Sequence, residues 1–243
     1  WNTFCDWYVE LSKPLLNGTD EALKAETQAT AAWALDVILK LLHPVMPFLT
    51  EELWAQTADL GAARGEGMLI TARWSQLADT LIDPDADAEI GLIVAAVSEG
   101  RSVKAELNVP HSARPPLLVV DATDAQRAVF AANAAAIAQT LRVAEVSFVE
   151  QAPQGAIPFV VNGATLALPV AEFIDLTAER ARLAKEIAGH ASDIAHVMKK
   201  LGNPAFVANA KEEVVEENRE RLAESEAAKT KREHALSLLE AVV

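Results

Sequence analysis

The chain has 243 residues, 51% hydrophobic and 23% charged, which allows one large or two to three small units and is too apolar for intrinsic disorder. Lys40, His43 and Pro44 interrupt the richest apolar stretch, so no run reaches the roughly 18–20 residues of a membrane span. With 21 Lys and Arg against 35 Asp and Glu the formal charge is −14, which repels phosphate at long range and confines any nucleic-acid binding to local basic clusters.

The chain begins at Trp1 rather than Met, with no signal-peptide pattern, and a fragment of a longer protein is expected. Trp1, Phe4, Tyr8, Leu11 and Leu15 recur at helical spacing, and Pro14 with Asn17-Gly18 closes this first helix. The lone Cys5 on it fits a reducing cytosol and is expected as a small buried hydrophobe. Thr19 or Asp20 caps a second helix running to about Leu42, and Trp33 is expected as a core anchor on its broad apolar stripe. Pro47 opens a third helix, with Glu51 and Glu52 near its positive end and Trp54 as a second core anchor.

Residues 59–85, with Gly61, Gly65 and Gly67, lack a sustained period and predict a long connection. Helical spacing returns over 86–107 through Ile90, Ile93, Val94 and Val97, and Asn108-Val109-Pro110 ends it. A strand is predicted at Leu117–Val120, an Ala-rich helix over 124–141 and a second strand at Val143–Val149. Ile157–Val161 and Thr165–Val170 flank Asn162-Gly163, the signature of a two-residue hairpin.

From Asp175 the pattern changes to long charged helices interrupted by Gly202-Asn203-Pro204. Alternate steps of four and three from Leu176 land on Arg180, Leu183, Ile187, His190, Ile194, Val197 and Leu201, a heptad seam. The returning segment gives Val215, Asn218, Leu222, Ser225, Lys229, Arg232, Leu236, Leu239 and Val243. An antiparallel helical hairpin follows, a rod roughly 40 Å long.

Residues 1–90 hold five basic and fifteen acidic groups, 91–170 five and six, and 171–243 eleven and fourteen, so the middle is nearest neutrality. No phosphate-binding Gly loop, His-Glu-x-x-His or Cys-x-x-Cys spacing is present, and the five histidines are scattered, so neither catalysis nor a metal is expected. The alternating charges of the returning helix, Arg219, Arg221, Lys229, Lys231 and Arg232 among acidic neighbours, are expected to be mostly salt bridges within it.

The string His43-Pro-Val-Met-Pro-Phe-Leu-Thr-Glu-Glu-Leu-Trp54 resembles the helix junction in the anticodon-binding domain of the class I aminoacyl-tRNA synthetases for valine, isoleucine and leucine. Trp1–Lys13 resembles the preceding helix and Arg101–Pro110 the later basic helix end. Ile174-Asp175, Glu179–Glu186, Lys199–Phe206 and Glu213–Val215 are similar to the C-terminal coiled-coil arm of the valyl-tRNA synthetases, where the other two families end differently. Lys211 and Ser75 stand where the family often carries proline.

The resemblance implies a mainly α fold: an antiparallel helical bundle of the anticodon-binding type at 1–112, a small α/β subdomain at 113–173 and an antiparallel coiled-coil arm at 174–243. It also implies a monomeric, cytoplasmic partner of valine tRNA that holds the anticodon stem and outer corner, with no contact to DNA or membrane. The family's ATP signatures and editing domain are absent from these residues, so no cofactor is expected here and ATP would be used by a catalytic domain outside them. Arg101, Lys104 and Arg114, clustered around a helix end, are the candidates for the anticodon stem, against a plain solvated face. Lys199, Lys200 and Lys211, with Phe206 between them, are the candidates at the tip, where Phe206 meets exposed bases or caps the hairpin's own core. A protein-interaction or dimerisation module working through the coiled coil is the alternative.

Overall fold

A computed structural model describes residues 2–60 and 67–240; the expectations on Trp1, Gly61, Gly65 and Val243 lie outside them. The chain divides into two compact units, residues 1–89 and 90–243.

The first unit is helical. A π-helical segment, Asn2–Tyr8, runs directly into α1 (Val9–Leu16), so Pro14 lies inside the first helix rather than at its end. Phe4 and Tyr8 stack at 5.3 Å between centroids, and the Tyr8 hydroxyl donates to the Thr27 carbonyl at 3.3 Å. The Asp20 carboxylate accepts from Ala22 N and Leu23 N, which starts α2 (Glu21–Leu42) as the capping signal predicts. Pro47 opens α3 (Pro47–Gln56), where Thr50 Oγ1 lies 2.8 Å from His43 Nδ1 and ties the two helix ends together.

Leu39, Trp54 and Leu69 form a buried cluster edged by Leu35, Leu53 and Ala72. Trp54 is 6% exposed, as expected, with the Lys40 ammonium 5.6 Å from its ring centroid. Trp33, expected beside it, is 46% exposed. The buried stripe of α2 runs through Ala32, Asp36 and Leu39, and one residue of helical rotation carries Trp33 off that face. The connection after α3 holds two short 3₁₀ turns, Leu69–Thr71 and Asp79–Leu81. Glu51, expected to act on the positive end of α3, accepts from Leu69 N at 2.6 Å and Ile70 N at 3.1 Å and clamps the first of these turns.

A long helix, α4 (Pro84–Glu106), enters the second unit. There the sheet order is β2-β1-β4-β3, with β1 (Leu117–Asp121), β2 (Val146–Phe148), β3 (Ala156–Val161) and β4 (Ala164–Pro169). β1 pairs with β2 in parallel and with β4 antiparallel, and β3 with β4 antiparallel, Phe159 opposite Leu166. Asn162 and Gly163 both have positive φ, 47° and 84°, as the two-residue hairpin turn requires. The predicted single helix over 124–141 is two, α5 (Asp124–Ala132) and α6 (Ala134–Leu141), because Asn133 leaves helical geometry between them. The second strand is shorter than predicted, since Val143–Glu145 belong to the turn leaving α6. Gly100 lets α4 approach α6 closely, because a Cβ there would lie 2.9 Å from both methyls of Leu141.

The arm is α7 (Leu176–Leu201), a short α8 (Pro204–Asn209) and α9 (Glu212–Glu240). All eight seam positions of α7 and all eight described positions of α9 are buried or half-buried, so the heptad reading holds. Arg182 pairs with Glu179 and Glu186 on its own helix, and Arg232 Nε reaches across to Glu186 at 2.7 Å. Arg221 crosses to Asp193 at 3.5 Å, and Lys231 reaches Glu106 at 3.9 Å. Three cations of α9 expected to pair within the helix thus pair away from it, because the antiparallel return brings carboxylates of other helices alongside. No helix among the described residues is long and apolar enough to cross a membrane.

Candidate functional site

Two groups of cations are built by the second unit. The first surrounds the junction of α4 and α6. Beyond α4 the chain turns through Asn108, whose φ is 52°, and α6 ends at Arg142 in the left-handed conformation, φ 56° and ψ 57°. The N–H groups of Arg142 and Val143 both converge on the Ala138 carbonyl, which closes the helix end. Between the two turns lies a cleft of about 740 Å³, lined in part by Arg101, Lys104, Asn108, His111, Thr140 and Arg142, and by no Asp or Glu.

Lys104 is the fixed element of that cleft. Its ammonium donates to the carbonyls of Arg142 at 2.9 Å, Leu141 at 3.3 Å and Ala113 at 3.5 Å. A cation at the carbonyl end of α6 satisfies acceptors that have no intrahelical partner. Burial pushes its pKa below the ordinary lysine value, and the neighbouring charges of Arg114 and Arg142 push in the same direction. Arg101 Nη2 donates to the Thr140 carbonyl at 2.8 Å, one residue before the helix ends. The Thr140 hydroxyl in the same wall is 6% exposed as a residue and has no hydrogen-bond partner among the described residues.

Arg101, Lys104 and Arg114, singled out from sequence, therefore do come together. Two of them hold backbone, while the exposed Arg114 guanidinium makes no hydrogen bond or ion pair with the described residues. Arg142, also exposed and without such a partner, completes the group and was not foreseen. It lies 38 residues beyond Lys104, a separation that hides their contact. The one sequence signal is that it is the sole cation between Arg127 and Arg180, set where an Ala-rich helix gives way to Val143.

The second group is the tip of the arm. Lys199 and Lys200 end α7, Asn203 caps α8 through Ala205 N at 3.0 Å, and Lys211 precedes α9. All three lysines are exposed and none makes a hydrogen bond or ion pair with the described residues. Apart from Lys185, every other Lys and Arg described in the hairpin is tied to a carboxylate or a carbonyl. Phe206 is half-buried on α8, and Met198 on α7, Val207 on α8 and Val214 on α9 are exposed. Unpaired ammoniums next to apolar surface are the chemistry that phosphates and flat bases call for.

Residues 1–120 match the family model for the anticodon-binding domain of tRNA ligase, and residues 175–240 match that for the valyl tRNA synthetase tRNA binding arm. The valine–tRNA ligase of Caulobacter vibrioides is 60% identical over 242 residues, covering 100% of this chain and 27% of the relative. The chain belongs to the valyl-tRNA synthetase family. The valine–tRNA ligases of Brucella suis and Mesorhizobium japonicum are 50% and 48% identical, over 92% and 98% of this chain and 24% and 25% of their own lengths. The chain thus spans about a quarter of the length of the family members it matches. The tip lysines fall in the segment matched to the synthetase arm; Arg101, Lys104 and Arg114 fall in the anticodon-binding match, and Arg142 lies between the two.

Proposed function

We propose that this chain is the C-terminal, tRNA-holding region of a cytoplasmic valine–tRNA ligase. It positions valine tRNA for ATP-dependent aminoacylation by a catalytic domain elsewhere in the enzyme. In this reading residues 1–112 form the anticodon-binding bundle, 113–173 a small α/β subdomain and 174–243 the arm. Arg114, in a wall held by Arg101 and Lys104, meets the anticodon stem. Lys199, Lys200, Lys211 and the face of Phe206 meet the outer corner.

The unpaired ammoniums of the tip carry this reading. In a hairpin whose cations are otherwise almost all tied to a carboxylate or carbonyl, three lysines at one end make no ion pair or hydrogen bond with the described residues. Their field is open to an external polyanion despite the chain's net −14.

Binding of valine tRNA at low and moderate salt, beside a non-cognate tRNA, tests the proposal. Salt-sensitive binding is expected, and Lys199→Gln/Lys200→Gln/Lys211→Gln is expected to weaken it and flatten its salt dependence by about 0.7–0.9 in logarithmic slope per lost contact. Absence of binding at low salt overturns it. Dimerisation through the coiled coil draws less support, because the seam is consumed within the hairpin; light scattering is expected to report a monomer.

A further inference from the structure

We propose that Arg142 is a phosphate-binding residue, presented with Arg114 to the RNA backbone by the α6 end that Lys104 holds. The proposal rests on the tRNA reading above and adds to it a contact that lies between the two family-matched segments.

The first ground is conformational. Arg142 sits at φ 56° and ψ 57°, a helix-end position that glycine occupies without steric conflict and a long side chain does not. Nothing among the described residues repays the arginine for this, since its guanidinium makes no hydrogen bond or ion pair with them. A strained backbone under an unpartnered exposed cation points to a use outside the chain.

The second ground is electrostatic. Among the described residues no Asp or Glu lines the cleft that Arg142 shares with Lys104 and His111, in a chain with 35 of them. Arg114 and Arg142 both act on Lys104, so three like charges lie close enough to repel one another. An arrangement that repels itself is stabilised by an anion, and a phosphodiester, approached by a forked guanidinium, meets both its charge and its shape.

The third ground is mechanical. Lys104 bonds the carbonyls of both Leu141 and Arg142, and Arg101 that of Thr140, so the backbone under the guanidinium is pinned at three successive residues. Lys104 and Arg101 are on this view positioning residues for Arg142, which accounts for a half-buried ammonium that itself has no bond left to offer.

The alternative is that Arg142 merely balances the carbonyl end of α6. Arg142→Gly separates the two, because glycine relieves the left-handed strain while removing the charge. The 243-residue chain is titrated with valine tRNA across a salt series as wild type, Arg142→Gly, Arg142→Lys and the triple tip variant, with thermal melts of each. Arg142→Gly is expected to melt no lower than wild type, to bind roughly three- to tenfold more weakly at low salt and to lose about one unit of logarithmic salt slope. Arg142→Lys is expected to recover the slope but only part of the affinity, having charge without the fork.

Wild-type affinity in Arg142→Gly, with the tip variant weakened, overturns this inference and leaves the tRNA reading standing. A lower melting temperature with unchanged affinity returns Arg142 to the helix-end role. No binding by the wild type at low salt overturns both.

Discussion

Glu186 on α7 accepts a hydrogen bond from Arg232 Nε on α9 at 2.7 Å, while the same carboxylate pairs with Arg182 one turn earlier on its own helix. Arg182 also holds Glu179 and donates to the carbonyl of Glu106 at 3.4 Å, so one chain of charges runs from α9 through α7 to the end of α4.

That chain makes the arm acid-sensitive. Arg232 first, and Arg182 after it, hold the Glu186 carboxyl below its ordinary value of 4.5, against the opposing effect of burial. A folded pKa below the unfolded one means the stabilisation is complete above about 4.5 and is lost as pH falls through the lower folded value. Thermal melts followed by helical circular dichroism are expected to fall as pH drops below about 4.5, and less steeply in Glu186→Gln.

Glu106 is the other fixed point of the arm's base. Its carboxylate, only 8% exposed, takes Ser102 Oγ at 3.1 Å and His234 Nδ1 at 3.3 Å, with Lys231 Nζ at 3.9 Å. Glu106→Ala leaves these donors without their shared acceptor and is expected to cost roughly 1–3 kcal/mol in urea unfolding. Ser102→Ala, which removes one of these bonds and leaves the carboxylate its other partners, is expected to cost less than Glu106→Ala in the same assay.

Two tryptophans of similar appearance in the sequence differ in consequence. Trp54→Ala empties the Leu39–Leu69 cluster and is expected to destabilise the chain by about 3–5 kcal/mol. Trp33→Ala, on an exposed flank of α2, is expected to cost less than about 1 kcal/mol. Paired denaturant melts of the two variants check this directly.

The Glu51 clamp gives a local prediction. Glu51→Ala removes acceptors from Leu69 N and Ile70 N, each bonded to a charged oxygen, and leaves the 3₁₀ turn without its outside support. Hydrogen exchange at the Leu69 and Ile70 amides is expected to accelerate at least tenfold, with exchange in α7 and α9 unchanged.

What was legible in the sequence depended on the range of the physics involved. Period-dependent features came through: the heptad seam from Leu176 to Leu201, the Asp20 cap and the Asn162-Gly163 turn each follow from residues within a few positions of one another. Trp33 was misread because a broad stripe on α2 does not say which edge of it meets the core, and Ala32, Asp36 and Leu39 hold that edge. Within the junction string His43–Trp54, Thr50 and Trp54 turn inward while Phe48 is 91% exposed, a division that pattern alone does not draw. The candidate cations were found where they lie close in sequence. Arg142 was missed because its role comes from a backbone conformation and a neighbour 38 residues away.

The hairpin is sealed unevenly. On α7 full burial of apolar side chains occurs at Leu183 and again at Val197, and between them the seam is made of half-buried Ile187, His190 and Ile194, with Ser225 the buried residue of that part of α9. At 1.5 Å per residue the two seals are about 21 Å apart. Between the seals the two helices are joined by charge instead, through Arg232 to Glu186 and Arg221 to Asp193. Lys199, Lys200 and Lys211 all lie beyond the outer seal, where Val197 and Val215 are buried, so each can be replaced without opening the apolar seam that holds the arm together.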